Sequence, residues 1–231
     1  RRLVLSAEST TANVVSDIDL LVKTSVVARP TSVSVEVGRV SVPVLTICEI
    51  IGWVKVLFVK VSVERLGDGS LDLGFSGYDL LKESEVNIQK KISVVKGYGF
   101  GKATLVVAIP DPWIDVQTIA DLEEIAFYFK DKKKKRLRVG TKYPNLTREF
   151  LFSKGVTQFK LVDSQGSTEV MPYTGSAEII VDITSTGETI KANNLRILKD
   201  GEILKSEACM MISKSSAKNS SVKKLTKLLS R

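Results

Sequence analysis

The sequence predicts an α/β protein with mainly parallel sheets. Two observations carry this. From Val54 to Thr189 strand-like and helix-like segments alternate, the order that builds βαβ units. Within that span ATLVVAIP, Ala103 to Pro110, is a continuous apolar run closed by proline, which fits a strand buried on both faces.

The elements follow in order. Leu3-Val4-Leu5 reads as a short strand, and SVSVEVGRVSVPV alternates like one, with Gly38 and Pro43 as punctuation. Val54 to Val61 is a third strand. Gly67 and Gly69 make a turn, Leu71 to Phe75 a short buried strand, and Ser76-Gly77 a loop into a helix. After the Ala103–Pro110 strand, DPWIDVQTIADLEEIAFYFK predicts a helix with Asp115 as N-cap. Its face is Val116, Ile119, Leu122, Ile125, Ala126 and Phe129. Arg136 to Thr141 is a strand, and Pro144 opens a helix that Gly155 stops. FKLVD is a strand, GSTEVMPYTG a short helix, and Glu178 to Ile183 a strand. TIKANN starts another helix. LRILKDGEILKSEACMMIS predicts a hairpin turning at Asp200-Gly201. Ser220 or Ser221 caps a final helix with an apolar face of Val222, Leu225, Leu228 and Leu229.

Composition removes several chemistries. The 231 residues contain no histidine, so no triad, metal site or proton shuttle can rest on imidazole. The two cysteines, Cys48 and Cys209, are far apart in sequence. They read as inert thiols, and no zinc site is expected from two cysteines and carboxylates alone. No apolar run approaches the roughly 18–20 residues needed to span a bilayer. The opening RRLVLSAESTT is too polar for a secretory signal. The expectation is a cytoplasmic protein without membrane contact.

Lys plus Arg total 34 against 26 Asp plus Glu, a net charge of +8. Much of the excess sits in Lys130 to Arg136 and in the tail, at Lys214, Lys218, Lys223, Lys224, Lys227 and Arg231. Neither stretch interleaves aromatics with its cations, as a single-strand nucleic-acid platform would. Both read as solvated faces, and no nucleic-acid partner is expected.

The sharpest local feature is IIVDITSTGETI, residues 179–190. A buried strand ends in Asp182. A loop of Thr184, Ser185, Thr186, Gly187 and Thr189 then enters a helix. Hydroxyls, backbone N–H groups and a glycine at such a junction form a phosphate cradle. Asp182 at the strand end is placed for a ribose hydroxyl or a magnesium ion. An ordinary Ser/Thr-rich capping loop with a structural aspartate reads the same window equally simply.

The window has wider company. Glu169, Gly175, Ala177, Ile180, Asp182, Ile183, Thr186, Gly187 and Thr189 match E-x5-G-x-A-x2-I-x-D-I-x2-T-G-x-T. This pattern resembles the signature of ATP phosphoribosyltransferase, the first enzyme of histidine biosynthesis. Ile190 and Glu178 depart mildly from the family's usual Leu or Met and Asp. Thr141-Lys142-Tyr143, with Thr147 and Arg148 beyond, is similar to the family's T-K-Y-x-x-x-T-R segment. Asp68 to Leu81 resembles its G-x-x-D-L-G-x-T-G-x-D segment, with Ser76 for Thr, and GYGFGKATLVVAIPD resembles its lobe-crossing strand. The resemblance covers residues 53–231. Residues 1–52 do not match, and Ser6 to Thr11 stand where the family has a P-x-K-G-R loop.

The resemblance implies a fold: two α/β lobes of the type II periplasmic-binding-protein kind, with the active site in the inter-lobe cleft. Residues 1–105 plus 190–231 would form lobe I and residues 106–189 lobe II, with no C-terminal regulatory domain. It implies a reaction: transfer of phosphoribosyl from phosphoribosyl pyrophosphate to N1 of ATP with magnesium. Thr184, Ser185, Thr186, Gly187 and Thr189 would hold the sugar 5-phosphate. Asp182 and Glu169 would be catalytic, on ribose hydroxyls or metal. Gly77, Asp79, Lys142, Tyr143 and Arg148 would line the ATP side. Asp79 reads equally well as a helix cap, and Tyr143 as a core tyrosine. The short form resembled here implies a regulatory subunit similar to histidyl-tRNA synthetase, in a homo- or hetero-oligomer. Two other readings stand beside this one: a two-lobed solute-binding protein without catalysis, and a basic nucleic-acid-binding module.

Overall fold

The structure is a computed structural model and describes residues 34–37, 40–43, 56–57 and 63–230. The strand expected at Leu3–Leu5, Cys48, and most of the Val54–Val61 strand lie outside them. The chain divides into two compact units. One comprises residues 1–76, 90–96 and 210–231, the other residues 77–89 and 97–209.

In the first unit, β1 (Ser34–Val37) pairs antiparallel with β2 (Val40–Pro43). A four-stranded sheet runs in the order β3 (Val56–Leu57), β4 (Leu73–Gly77), β11 (Ala208–Ser213), β5 (Ile92–Gly97). Helix α1 (Val63–Gly67) precedes β4. The last helix, Ser220–Leu229, is capped by Asn219, whose side chain accepts from the Ser221 N–H at 2.9 Å, so the expected serine caps give way to the residue before them. It buries Val222, Leu225 and Leu229; Leu228 is only half-buried.

The second unit holds helices α2 (Tyr78–Glu83) and α3 (Val86–Gln89) and a five-stranded sheet. Its order is β10 (Leu195–Ser206), β6 (Ala103–Pro110), β9 (Ile179–Thr184), β7 (Leu137–Thr141), β8 (Phe159–Asp163). Strands β9, β7 and β8 run parallel, while β6 runs antiparallel to both β9 and β10. The class is α/β as expected, but this sheet is mixed rather than mainly parallel. Strand β6 is the cause: it runs opposite to both neighbours, so β9 and β10 are parallel to each other across it, and the connection bearing the short helix α6 (Glu188–Ala192) carries the chain past β6. The chain re-enters beside the end of β6, with Leu195 opposite Pro110, and runs back along it.

One face of the sheet packs α4 (Ile119–Asp131) and α5 (Pro144–Ser153). Leu105, Val107, Ile109, Val139, Ile179 and Val181 meet Ile119, Leu122, Ala126, Phe129 and Leu151 there. The opposite face buries a smaller set: Val106, Ala108, Met171, Ala177, Ile180, Ile190 and Leu195. Alternation along β6 and β9 thus feeds both cores, as a strand covered on two sides must.

Three expectations are corrected. Helix α4 starts at Ile119, not after Asp115. Thr118 is its N-cap, and the Asp121 carboxylate accepts from the Gln117 and Thr118 N–H groups at 2.8 Å each, a reciprocal cap that fixes the start. The Asp200-Gly201 hairpin is instead a single strand, β10, with register shifts between Ile197 and Glu202. Asp200 is drawn away from a turn by donation of the Ile119 N–H to its carboxylate at 2.8 Å, so it also caps α4. A Cβ on Gly201 would stand 3.1 Å from the Val107 carbonyl oxygen, a tight contact, so glycine eases the close approach of the bulge to β6. The short helix expected over GSTEVMPYTG is a 3-10 turn, Thr168–Val170. The chain passes between units at 76/77, 89/90, 96/97 and 209/210.

Candidate active site

Three parallel strands end side by side. Register places Thr141 of β7 opposite Val181 of β9 and Asp163 of β8. The next residues, Lys142, Asp182 and Ser164, therefore sit along one carboxyl edge, where open α/β sheets bind ligands.

Asp182 is half-buried, on the face of the sheet that carries the smaller core. Burial pushes its carboxyl above the ordinary aspartate value. The Ile183 N–H (2.8 Å), the charge of Lys142 and a hydrogen bond from Thr168 pull it down, and the charge of Glu169 pushes it up again. These influences bring Asp182, Lys142 and Glu169 into one neighbourhood. The 3-10 turn bearing Glu169 is seated through Met171. A Cβ on Gly140 would stand 2.5 Å from the Met171 sulfur, so the glycine in β7 makes the space that lets this turn descend onto the sheet. Thr168 is fully buried, and its hydroxyl lies 2.8 Å from that of Ser164.

After β9 the loop is organised by its own hydroxyls. The Gly187 N–H donates to Thr184 Oγ1 at 2.9 Å and the Glu188 N–H to Thr186 Oγ1 at 3.3 Å. Gly187 has φ of 78° and caps α6, a backbone conformation that costs a side-chain-bearing residue about 1–2 kcal/mol. Ser185, Thr186 and Thr189 are exposed.

The residues expected on the ATP side form a buried network. Tyr143 is 7% exposed and packs in the larger core; its hydroxyl donates to Asp79 Oδ2 at 2.8 Å. Ser206 donates to Asp79 Oδ1 at 2.5 Å. Burial and the Asp79 carboxylate push the Tyr143 hydroxyl well above its ordinary value, with smaller pushes from Asp182 and Glu83. A Cβ on Gly77 would collide with Asp79 Oδ1, so this glycine makes room for the aspartate. Arg148 is exposed, and its charge bears on Glu83.

Sequence reasoning missed four participants. Glu83 accepts from the Asn145 and Leu146 N–H groups at 2.8 and 3.0 Å, so it fills the start of α5 with the chain's own carboxylate. Burial nevertheless holds the Glu83 carboxyl above its ordinary value. Thr168, Thr141 and Ser206 complete the hydrogen bonding. Thr141 Oγ1 accepts from the Tyr143 N–H at 2.9 Å. Thr168 had a signal in its place beside Glu169, and Thr141 in its place at the head of the T-K-Y segment; Glu83 and Ser206 had none. All the expected site residues lie in the second unit.

The family profile described as ATP phosphoribosyltransferase matches residues 62–231. The chain belongs to the ATP phosphoribosyltransferase family. An ATP phosphoribosyltransferase from Nitrobacter winogradskyi is 45% identical over 163 residues, 70% of this chain and 50% of the relative. One from Chelativorans is 45% identical, over 69% of this chain and 71% of the relative. The chain spans about half the length of the first curated relatives it matches. Among solved structures, an ATP phosphoribosyl transferase (HisG:HisZ) complex from Thermotoga maritima is similar with a TM-score of 0.56 and 26% identity, over 72% of this chain and 73% of that one. ATP phosphoribosyltransferase membership covers the whole carboxyl-edge site, Lys142, Glu169, Asp182 and the Thr184–Gly187 loop. Among the described residues no helix is long and apolar enough to cross a membrane.

Proposed function

We propose that this chain transfers a phosphoribosyl group from phosphoribosyl pyrophosphate to N1 of ATP, releasing pyrophosphate, as the first step of histidine biosynthesis. The observation that carries the reading is the meeting of Asp182, Lys142 and Glu169 at the carboxyl edge of the sheet, directly before the Thr184–Gly187 loop. Membership of the family points the same way.

In this reading the Thr184–Gly187 hydroxyls and amides receive the sugar 5-phosphate, with Thr189 at the helix start. Asp182 accepts from the ribose hydroxyls and fixes the ring. Lys142 faces the departing pyrophosphate. The bond from C1 to the pyrophosphate oxygen breaks, its electron pair leaves with the pyrophosphate, and the N1 lone pair forms the new bond. N1 has no proton to lose, so no general base is required there, in keeping with a chain that has no histidine. The protein supplies position and anion stabilisation instead. Asp79, Gly77, Tyr143 and Arg148 belong to the ATP side, with Tyr143 held by Asp79 rather than presented as a stacking face.

Asp182 and Glu169 fit a magnesium ion. Such an ion takes one or two carboxylates together with substrate phosphates, and among the described residues no group of three or more acids or thiols forms a protein cage. When bound it neutralises charge on the leaving pyrophosphate. The reading extends to a cytoplasmic enzyme and to a regulatory subunit resembling histidyl-tRNA synthetase. The Thermotoga neighbour is itself a complex of two named components.

The test is pyrophosphate release from ATP plus phosphoribosyl pyrophosphate with magnesium. Asp182→Asn and Gly187→Val are each expected to lose turnover while keeping the far-ultraviolet spectrum of the parent. Wild-type rates in both variants would refute this site.

A further inference from the structure

Tyr173 is 58% exposed, yet its hydroxyl is committed: it donates to the Asn193 carbonyl oxygen at 2.5 Å. Asn193 is the C-cap of α6, and Gly187 is the N-cap of the same helix. Tyr173 lies just beyond the 3-10 turn that bears Glu169, and the Tyr173 and Thr174 N–H groups both donate to the Val170 carbonyl at 3.1 Å. Two residues before Tyr173, Met171 is buried in one core with Ile190 of α6.

A five-residue helix has no stability of its own, because isolated helices shorter than about 12–15 residues are marginal in water. Its position is set by what grips it. The core holding Met171 and Ile190 holds its middle through non-directional apolar burial. The Tyr173–Asn193 hydrogen bond holds its end through a directional contact. Both grips come from the segment that carries Thr168 and Glu169, so that segment and the helix move together.

We propose that Tyr173 is a positioning residue for the phosphate loop. Its hydroxyl ties the end of α6 to the Glu169 turn and so keeps the Thr184–Gly187 loop at a fixed spacing from Asp182 and Glu169. The inference rests on the reading of that loop as the phosphoribosyl pyrophosphate site.

The test is Tyr173→Phe in the full chain, which removes one exposed hydroxyl and no buried group. Losing a single hydrogen bond corresponds to about a threefold to tenfold change. The half-saturating concentration of phosphoribosyl pyrophosphate is expected to rise by that factor, with that of ATP unchanged. Deuterium uptake in the ligand-free variant is expected to rise at the Lys191, Asn193 and Asn194 amides, which close the end of α6. A merely structural tyrosine would shift both substrates alike. Equal shifts for both substrates, or unchanged uptake, overturn the proposal. If the wild-type chain releases no pyrophosphate, the functional reading fails and uptake alone decides the latch: a rise supports it and no change overturns it.

Discussion

In the proposed reading, Asp182 sets function against stability within one carboxylate. Burial is the largest influence on it and raises its pKa above the ordinary value. The folded chain therefore binds the proton more tightly than the unfolded chain does. Stability is lost as pH rises through the window between the two values, and at neutral pH the charge is carried at a cost. Asp182→Asn removes that cost. The variant is expected to melt at or above the parent temperature at pH 7, with the gap closing below about pH 4, where both states of the parent are protonated. Thermal unfolding at the two pH values checks this; a variant that melts lower at pH 7 contradicts it. Tyr143 shows the opposite balance. Its hydroxyl meets a buried carboxylate whose other oxygen is met by Ser206. Tyr143→Phe strips a donor from that carboxylate and is expected to cost about 1–3 kcal/mol, read from the shift of a urea midpoint. A midpoint unchanged from wild type would show that Asp79 does not depend on this bond.

Elements were legible where they carried their own signal. Strand β6 declared itself by an apolar run and a closing proline, and α5 by Pro144 and the left-handed Gly155 at φ 88°. Elements whose limits depend on distant partners were not legible. The start of α4 is set by Thr118 and Asp121 but also by Asp200, which lies far along the chain. The same bond turned an expected hairpin into one bulged strand. Asp200→Ala is expected to destabilise the chain by about 1 kcal/mol through the lost cap, with faster amide exchange confined to the first turn of α4 and to the bulge. Uniform loss of protection across the sheet would show that the bulge serves another purpose. The Glu178 departure from the family's common Asp also has a partner. Arg138, across the β7–β9 pair, donates to the Glu178 carboxylate through its backbone N–H at 2.7 Å and its guanidinium at 2.6 Å. Motif spacing singled out Asp182 and its loop as candidates, but nothing local marked Glu83 or Ser206, because each acts on a residue distant in sequence.

At the scale of the whole molecule, the features that carry the reading gather in one unit, residues 77–89 and 97–209. Two of its strands, β7 and β9, end at the candidate site, and a short helix anchored at its far end carries the loop. The net charge of +8 no longer needs nucleic acid to explain it. Both proposed substrates are polyanions, and a net positive charge favours the approach of such partners. The most direct test of the account is pyrophosphate release by the purified chain, supplied with magnesium, ATP and phosphoribosyl pyrophosphate, alone and with a histidyl-tRNA-synthetase-like regulatory subunit. The account predicts release that requires both substrates and disappears in Asp182→Asn. Absence of release under both conditions would contradict it.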